Sequence, residues 1–139
     1  MKRLVLLVSI ALTAIIYSCA EKKNNTQMKE VMAIHDEVMP KMSNLGSLVG
    51  ELNSKENDST ELGLEYRQAR KDLQAAHKSM MDWMQDFGNR FTPDEILNGK
   101  ELSEQKKQWL DEEEEKVKAL RKQINSSIAQ AEKLLVKDD

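Results

Sequence analysis

The first regular pattern in the chain is a stripe of mostly apolar positions that begins at Met28. Its members recur every three or four residues, the spacing of one face of an α-helix; they are Met28, Met32, His35, Met39, Met42, Leu45, Val49 and Leu52. This spacing predicts a first helix over residues 27–53. Pro40 lies inside it and cannot donate a hydrogen bond to the carbonyl of Asp36. We therefore expect the helix to bend near residues 36–40.

Two further stripes with helical spacing follow, separated from the first by a polar turn at residues 53–60. The second predicts a helix over about residues 60–90; its members are Leu62, Tyr66, Ala69, Leu73, Ala76, His77, Met80, Met84 and Phe87, with Trp83 beside them. The third predicts a long helix from Ser103 to about Val136; its members are Leu110, Val117, Leu120, Ile124, Ile128, Ala131 and Leu135.

A short helix is predicted between the second and third stripes. Thr92 is suited to the N-cap, Pro93 to the first helical position and Glu95 to the third, which is the pattern of a capping box. Asn98 and Gly99 are typical of a helix end. The short helix is therefore expected near residues 93–98.

The three long helices have similar lengths, about 40–50 Å at 1.5 Å per residue. Helices of matched length pack side by side. No stretch has the alternating pattern of a β-strand. The predicted fold class is all-α: an elongated antiparallel three-helix bundle over residues 28–137, with the short connecting helix near 93–98.

The chain begins with the pattern of a bacterial lipoprotein signal. A basic pair precedes an apolar run of 13 residues that ends at Ile16 and is too short to cross a bilayer. This motif usually has a small residue two positions before the cysteine, where this chain has the bulky Tyr17. We expect residues 1–18 to be removed and Cys19 to carry acyl chains such as palmitate, followed by a polar tether over residues 19–27. The expected location is the cell envelope, by default the periplasmic face of the outer membrane.

Charge narrows the possible partners of the mature chain. Removal of Lys2 and Arg3 with the signal takes the formal charge from −3 to −5. An acidic domain without a basic stripe argues against nucleic acid, whose phosphates require cations. The acidic residues 111–115 are expected to be a solvated face, because Lys116 and Lys118 follow at helical pairing distance.

Methionine and histidine supply a candidate metal site. With a hairpin turn near residue 56, antiparallel helices would bring three pairs to the same level: His35 with His77, Met32 with Met80, and Met28 with Met84. Thioether and imidazole donors favour a soft ion such as copper(I) or silver. The alternative is that the stripe is core packing, because methionine fills cores adaptably. No other cofactor is expected.

Several enzyme classes lack their residues in this chain. The di-iron Glu-x-x-His pattern is absent, since Met32 and Gln74 stand three residues before the two histidines. There is no HExxH motif and no glycine-rich phosphate loop among the five glycines. We therefore expect a protein without enzyme activity.

Three segments of the chain resemble a family of small uncharacterised lipoproteins of Bacteroidota, some of which carry the label viral A-type inclusion protein. The segments are His35 to Met42 (HDEVMPKM), Met80 to Met84 (MMDWM) and Glu95 to Gly99 (EILNG). The resemblance implies an exported lipoprotein and no known activity. Asp58-Ser59-Thr60 also resembles the O-glycan acceptor motif of such bacteria, which would modify Ser59; the alternative is a helix cap.

These observations favour a lipid-anchored, non-enzymatic helical interaction or structural module. Its partner, an envelope protein or a second copy, is expected to dock on an exposed helical seam that includes Trp83 or Trp109. The first alternative is soft-metal binding by the methionine and histidine set. The second is carriage of an apolar ligand between splayed helices, which requires a cavity.

Overall fold

The computed structural model describes residues 23–136, and all regular structure in that range is helical. Helix α1 covers residues 23–38 of the described range. It is followed by α2 (Lys41–Lys55), α3 (Glu61–Arg90), α4 (Pro93–Leu97) and α5 (Glu104–Val136). The all-α fold class is thus confirmed, and between residues 23 and 136 there is no strand.

The predicted first helix is divided in two at Pro40. α1 ends at residue 38, and a two-residue turn separates it from α2. The N–H of Met42 donates to the carbonyl of Met39 over 3.1 Å, a bond to the third residue back instead of the fourth. Proline lacks the N–H that would continue the α-helical ladder. The helix therefore breaks at Pro40, where the sequence predicted a bend.

α1 also extends into the segment that the sequence assigned to a tether. Residues 23–27 are helical, and Gln27 is buried. The amide of Gln27 donates to Asp111 Oδ1 over 2.8 Å and to Glu114 Oε2 over 2.7 Å. A buried polar side chain is stable when its hydrogen bonds are satisfied. The predicted domain boundary at residue 28 therefore lies too late.

α1 and α2 run in the same direction along α5. Three side-chain contacts each join residues 84 positions apart: Gln27 with Asp111, Glu37 with Arg121, and Lys41 with Asn125. A constant separation is the property of two segments that advance together. The break at Pro40 therefore interrupts the helical ladder without reversing the chain.

The three stripes meet in one core, as predicted. α3 packs against both α2 and α5, and α2 also contacts α5. The largest side chains with almost no exposure come from all three stripes and include Leu45, Leu52, Leu73, Met80, Leu110 and Ile124. Burial of such side chains contributes about 1.5–3 kcal/mol each. The apolar stripes therefore account for the association of the helices.

Residues 56–60, here called the turn end, connect α2 to α3 through side-chain hydrogen bonds. Asn57 Oδ1 accepts from the backbone N–H groups of Ser59 and Thr60, both over 3.0 Å. Thr60 Oγ1 accepts from the N–H of Gly63 over 3.0 Å and is the N-cap of α3. These bonds satisfy donors at the helix start that have no intrahelical partner.

Residues 91–103, here called the α4 end, lie at the opposite end of α3. The predicted capping box of α4 is confirmed: Thr92 Oγ1 accepts from the N–H of Glu95, and Glu95 Oε2 accepts from the N–H of Thr92 over 2.8 Å. Gly99 follows with a φ of 67°, a left-handed conformation that favours glycine. Ser103 Oγ accepts from the N–H of Lys106 at the start of α5. This end is therefore held by caps at both of its helix starts.

Candidate functional site

A groove of about 370 Å³ lies on the surface between α3 and α5. α3 contributes Ser79, Asp82, Trp83 and Asp86, and α5 contributes Lys116, Ala119, Leu120 and Gln123. The ion pair between Arg90 and Glu112 shows that the end of α3 lies against the first turns of α5. The groove therefore follows the most extensive of the contacts among α2, α3 and α5.

The floor of the groove is apolar and fixed by ring contacts. Trp83 is 5% exposed and Leu120 is 8% exposed. The indole of Trp83 stacks on Phe87 with centroids 5.0 Å apart, and its other neighbour is the ring of His35 at 6.1 Å. Trp83 Nε1 is buried without a hydrogen-bond partner in the described part of the chain. Packing, and not hydrogen bonding, therefore holds the indole in place.

The two rims of the groove carry charges of opposite sign. Asp82 and Asp86 lie on the α3 rim, and Lys116 lies on the α5 rim. Asp82 pairs with Lys78, one turn earlier on α3. Lys116 Nζ lies 2.9 Å from Glu113 Oε1. The groove thus offers an apolar floor between a carboxylate rim and an ammonium rim, which is suited to binding a complementary surface.

Glu113, next to the groove, is fully buried and corrects an expectation from the sequence. Its exposure is 0%, so residues 111–115 are not a uniformly solvated face. Position 113 is three residues after Leu110 and four before Val117, so the apolar stripe of α5 passes through it. The helical spacing therefore favours burial of position 113, whereas the acidic composition of residues 111–115 led to the prediction of a solvated face. Glu113 Oε2 has no hydrogen-bond partner among the described residues.

Arg90 holds the acidic start of α5 against the end of α3. Its Nη1 lies 2.6 Å from Glu112 Oε2 and 3.0 Å from Glu113 Oε1. The hydrogen bond to Glu112 raises the pKa of Arg90, and the charge of Glu113 raises it further against the opposing effect of burial. The guanidinium also lies 5.4 Å from the ring centre of Trp109. Trp109, predicted as an exposed seam residue, is partly buried and packs on the core.

The predicted metal ligands are divided between core and surface. Met28 and Met80 are buried, Met32 and His35 are partly buried, and His77 and Met84 are exposed. Side chains of Met28 and Met80 belong to the hydrophobic core. Within residues 23–136, no group of three or more His, Cys, Asp or Glu side chains could hold a metal ion.

The predicted pairing of the two histidines does not match the register of the structure. His35 contacts Trp83, six residues beyond His77 along α3. The midpoint between positions 35 and 83 is residue 59, whereas the sequence placed the hairpin centre near 56. The difference arises because the turn continues to Thr60 before α3 begins. Nδ1 of His35 lies 2.9 Å from Asp36 Oδ1.

Of the two predicted modification sites, Ser59 lies among the described residues and Cys19 does not. Cys19 and the signal segment 1–18 lie outside the described residues. Ser59 lies in the turn end and is exposed, and its N–H donates to Asn57. Thr60, and not Ser59, provides the side-chain cap of α3. O-glycosylation of Ser59 stays a prediction.

No helix between residues 23 and 136 has the length and apolar character that a membrane crossing requires.

Comparisons of this chain with protein-family models, with curated proteins and with solved structures gave no match.

Proposed function

We propose that the mature chain is a lipid-anchored cell-envelope protein that acts as a non-enzymatic helical interaction module. We further propose that a second copy of the chain occupies the groove between α3 and α5. The observation that carries this proposal is the apolar floor of the groove between rims of opposite charge. The anchor would be the acylated Cys19, at the periplasmic face of the outer membrane.

The charge pattern makes the groove complementary to itself. In a symmetric dimer whose twofold axis runs along the groove, α3 of each copy lies over α5 of the other. Asp86 of each copy then faces Lys116 of the other copy, at the same level of the groove. Because the axis is parallel to the helices, both N-termini point the same way. Two copies anchored in one bilayer satisfy this requirement.

A groove of this size supports weak association in solution. About 370 Å³ accommodates only a few side chains of a partner, and small interfaces are typically transient. Anchoring both copies in one membrane confines them to a thin layer at the bilayer surface, which raises their effective concentration. We therefore expect dimers on the membrane at protein densities that give monomers in solution.

Contacts in the structure give less support to the two alternatives. The thioethers of Met28 and Met80 pack in the core, so binding copper through them would require the core to open. A carrier of apolar ligands needs an enclosed cavity, whereas the α3–α5 groove opens to solvent. The interaction module is the function that the geometry supports best.

The dimer is tested by crosslinking the mature chain in lipid vesicles. The Ala119→Cys variant places a thiol in the groove, and Ala129→Cys is its matched control, an exposed alanine of the same helix outside the groove. We expect a short bis-maleimide to give dimers of the first variant and few of the second. Adding Asp86→Lys should reduce the yield severalfold through like-charge repulsion across the rims.

Equal yields from the two cysteine variants would contradict docking through the groove, as would a yield that Asp86→Lys leaves unchanged. The chain with its natural sequence is the control for the anchor. Cys19 is its one cysteine, so thiol-linked dimers of that chain would show that Cys19 is not acylated.

A further inference from the structure

The α4 end presents one large apolar side chain to solvent on a rigid support. Leu97 is 76% exposed, the highest value among the large hydrophobic residues of the described range. Its neighbour Ile96 packs against the core. Isolated exposed leucines are common on protein surfaces. The exposure of Leu97 therefore indicates a binding role only together with the structure around it.

The backbone around Leu97 is fixed on both sides. Before it, the side chain of Glu95 is 8% exposed and accepts two hydrogen bonds from Lys106, of 2.9 and 2.6 Å. After it, the N–H groups of Asn98 and Lys100 both donate to the carbonyl of Asp94, over 3.0 and 3.2 Å. Leu97 is therefore held outward by its backbone and cannot turn inward without breaking these bonds.

A concavity of about 190 Å³ lies beside Leu97, where α4 meets α1. Its lining includes Asn25, Met28 and Lys29 from α1, and residues 95–99. The side chain of Asn25 lies so close to Gly99 that a Cβ at Gly99 would stand 3.3 Å from it. The apolar tip, Leu97, is thus adjacent to the part of α1 that leads back to the N-terminus.

The length of chain before Asn25 limits the distance of Leu97 from Cys19. Asn25 lies six positions after Cys19, and a chain spans at most about 3.3–3.6 Å per position, or about 20 Å over six. Whatever path these residues take, an acylated Cys19 lies within about 20 Å of the concavity. The headgroup region of each leaflet adds about 5–8 Å to the hydrocarbon core. The chain between Cys19 and Asn25 is therefore long enough for the concavity to lie at the bilayer surface, and too short to hold it far from that surface.

We infer that the α4 end rests on the membrane and that Leu97 inserts into the lipid interface as a second, apolar contact beside the Cys19 anchor. This inference rests on the lipid anchor of the proposed function. Near Leu97 the exposed acidic residues Asp94 and Glu101 offset Lys29 and Lys100. The contact is therefore apolar, and we expect it on neutral phosphatidylcholine and in high salt alike.

The test uses the full chain, expressed in a bacterium that processes lipoproteins and reconstituted in phosphatidylcholine vesicles. Leu97→Cys carries an environment-sensitive fluorophore. Its matched control is Leu64→Cys, an exposed leucine at the opposite end of α3, about 40 Å away at 1.5 Å per residue. We expect blue-shifted emission at position 97 only, and quenching there by spin-labelled lipids several times stronger than at position 64.

The natural sequence, treated with the same fluorophore, separates failure of the anchor from failure of the inference. Labelling of its Cys19 would show that the anchor is absent and would overturn both proposals. An unlabelled Cys19 together with water-like emission at position 97 would overturn the membrane contact alone. A blue shift that spin-labelled lipids do not quench would also overturn the membrane contact, because it would show that the side chain at position 97 contacts protein instead of lipid.

Discussion

The two ends of α3 contain similar residues but bury them to different degrees. At the turn end, Asp58 pairs with Arg67 while its side chain stays 70% exposed. Towards the α4 end, Glu95 is 8% exposed and Glu113 is fully buried. Both ends have a threonine N-cap and arginine–carboxylate pairs. What differs is the number of chain segments that cover them.

The α4 end gathers four segments, whereas the turn end connects two consecutive helices. α1, α3, α4 and α5 all supply residues near the α4 end, through Gln27, Arg90, Glu95 and Glu113. A carboxylate in such a place loses water and depends on the cations beside it. At the turn end Asp58 keeps its water, so its ion pair with Arg67 contributes little, whereas Glu56, paired with Arg70, is 17% exposed. Ion pairs of the same residue types therefore contribute differently to the free energy of unfolding at the two ends.

The largest effect is expected from removing both cations of Glu113. The Arg90→Ala/Lys116→Ala variant leaves a buried carboxylate without a countercharge, which should lower the free energy of unfolding by about 3 kcal/mol. Arg67→Ala at the turn end should cost about 1 kcal/mol or less. Urea unfolding followed by circular dichroism measures both. Equal losses would contradict the difference between the ends.

A complementary variant removes the buried charge itself. Glu113→Leu replaces the carboxylate by an apolar side chain at a position of the apolar stripe. Substitution of a buried ion pair by apolar residues is often neutral or stabilising, by about 1–4 kcal/mol. We expect the same unfolding assay to show no loss of stability. A loss above about 2 kcal/mol would show that the charge network is essential to the packing of this region.

An intermediate effect is expected from crowding the turn end. A Cβ at Gly63 would lie 2.5 Å from the backbone oxygen of Asn57, so Gly63→Ala requires the turn to move. We expect a loss of about 2 kcal/mol in thermal or urea unfolding. Gly88→Ala is the matched control in the same helix, since a Cβ there meets nothing within 4 Å. It should stabilise by about 0.5–1 kcal/mol, and a similar loss in both variants would be inconsistent with a tight turn.

The smallest effect is expected from lowering the pH, which should reduce the free energy of unfolding through carboxyl groups at both ends. Burial raises the pKa of Glu95, but hydrogen bonds from Lys106 and Thr92 outweigh it, so the pKa falls below its ordinary value of 4.5. At the turn end, hydrogen bonds from Arg70 likewise lower the pKa of Glu56. A carboxyl with a lowered pKa in the folded state contributes stability above pH 4.5 that is lost as the pH falls below it.

Glu95→Gln and Glu56→Gln should therefore each flatten the decline of stability below pH 4.5. The measurement is the urea midpoint at a series of pH values from neutral to acidic. A slope that neither variant changes would mean that other carboxyls cause the acid sensitivity. A change in only one variant would assign that sensitivity to one end of the molecule.

Local rules of sequence were sufficient for the helices and their caps. The stripe spacing located α3 and α5 to within a residue or two, and the capping box of α4 formed as Thr92, Pro93 and Glu95 predicted. These features depend on neighbours within one helical turn. Pro40 also acted locally, although the resulting break was stronger than the predicted bend.

The candidate groove and the burial of charge could be predicted only in part. The sequence named Trp83 for an exposed docking seam; Trp83 lines the groove, but it is 5% exposed, so its predicted exposure is wrong. The sequence did not provide the register that sets His35 against Trp83 instead of level with His77. That register depends on where the turn ends, and a shift of a few residues in the turn changes every partner along the helices.

The sequence by itself determined that this chain forms amphipathic helices, because helical periodicity and capping are properties of residues three or four positions apart. Tertiary structure decided which of the polar side chains on those helices lose water. Glu113 lies on the apolar stripe of α5, and the packing of α3 against α5 buries it and brings Arg90 beside it. The groove exists because the same two long helices meet along it. Such pairings join residues far apart in the chain, and their energies depend on solvent exclusion that only the packed helices create.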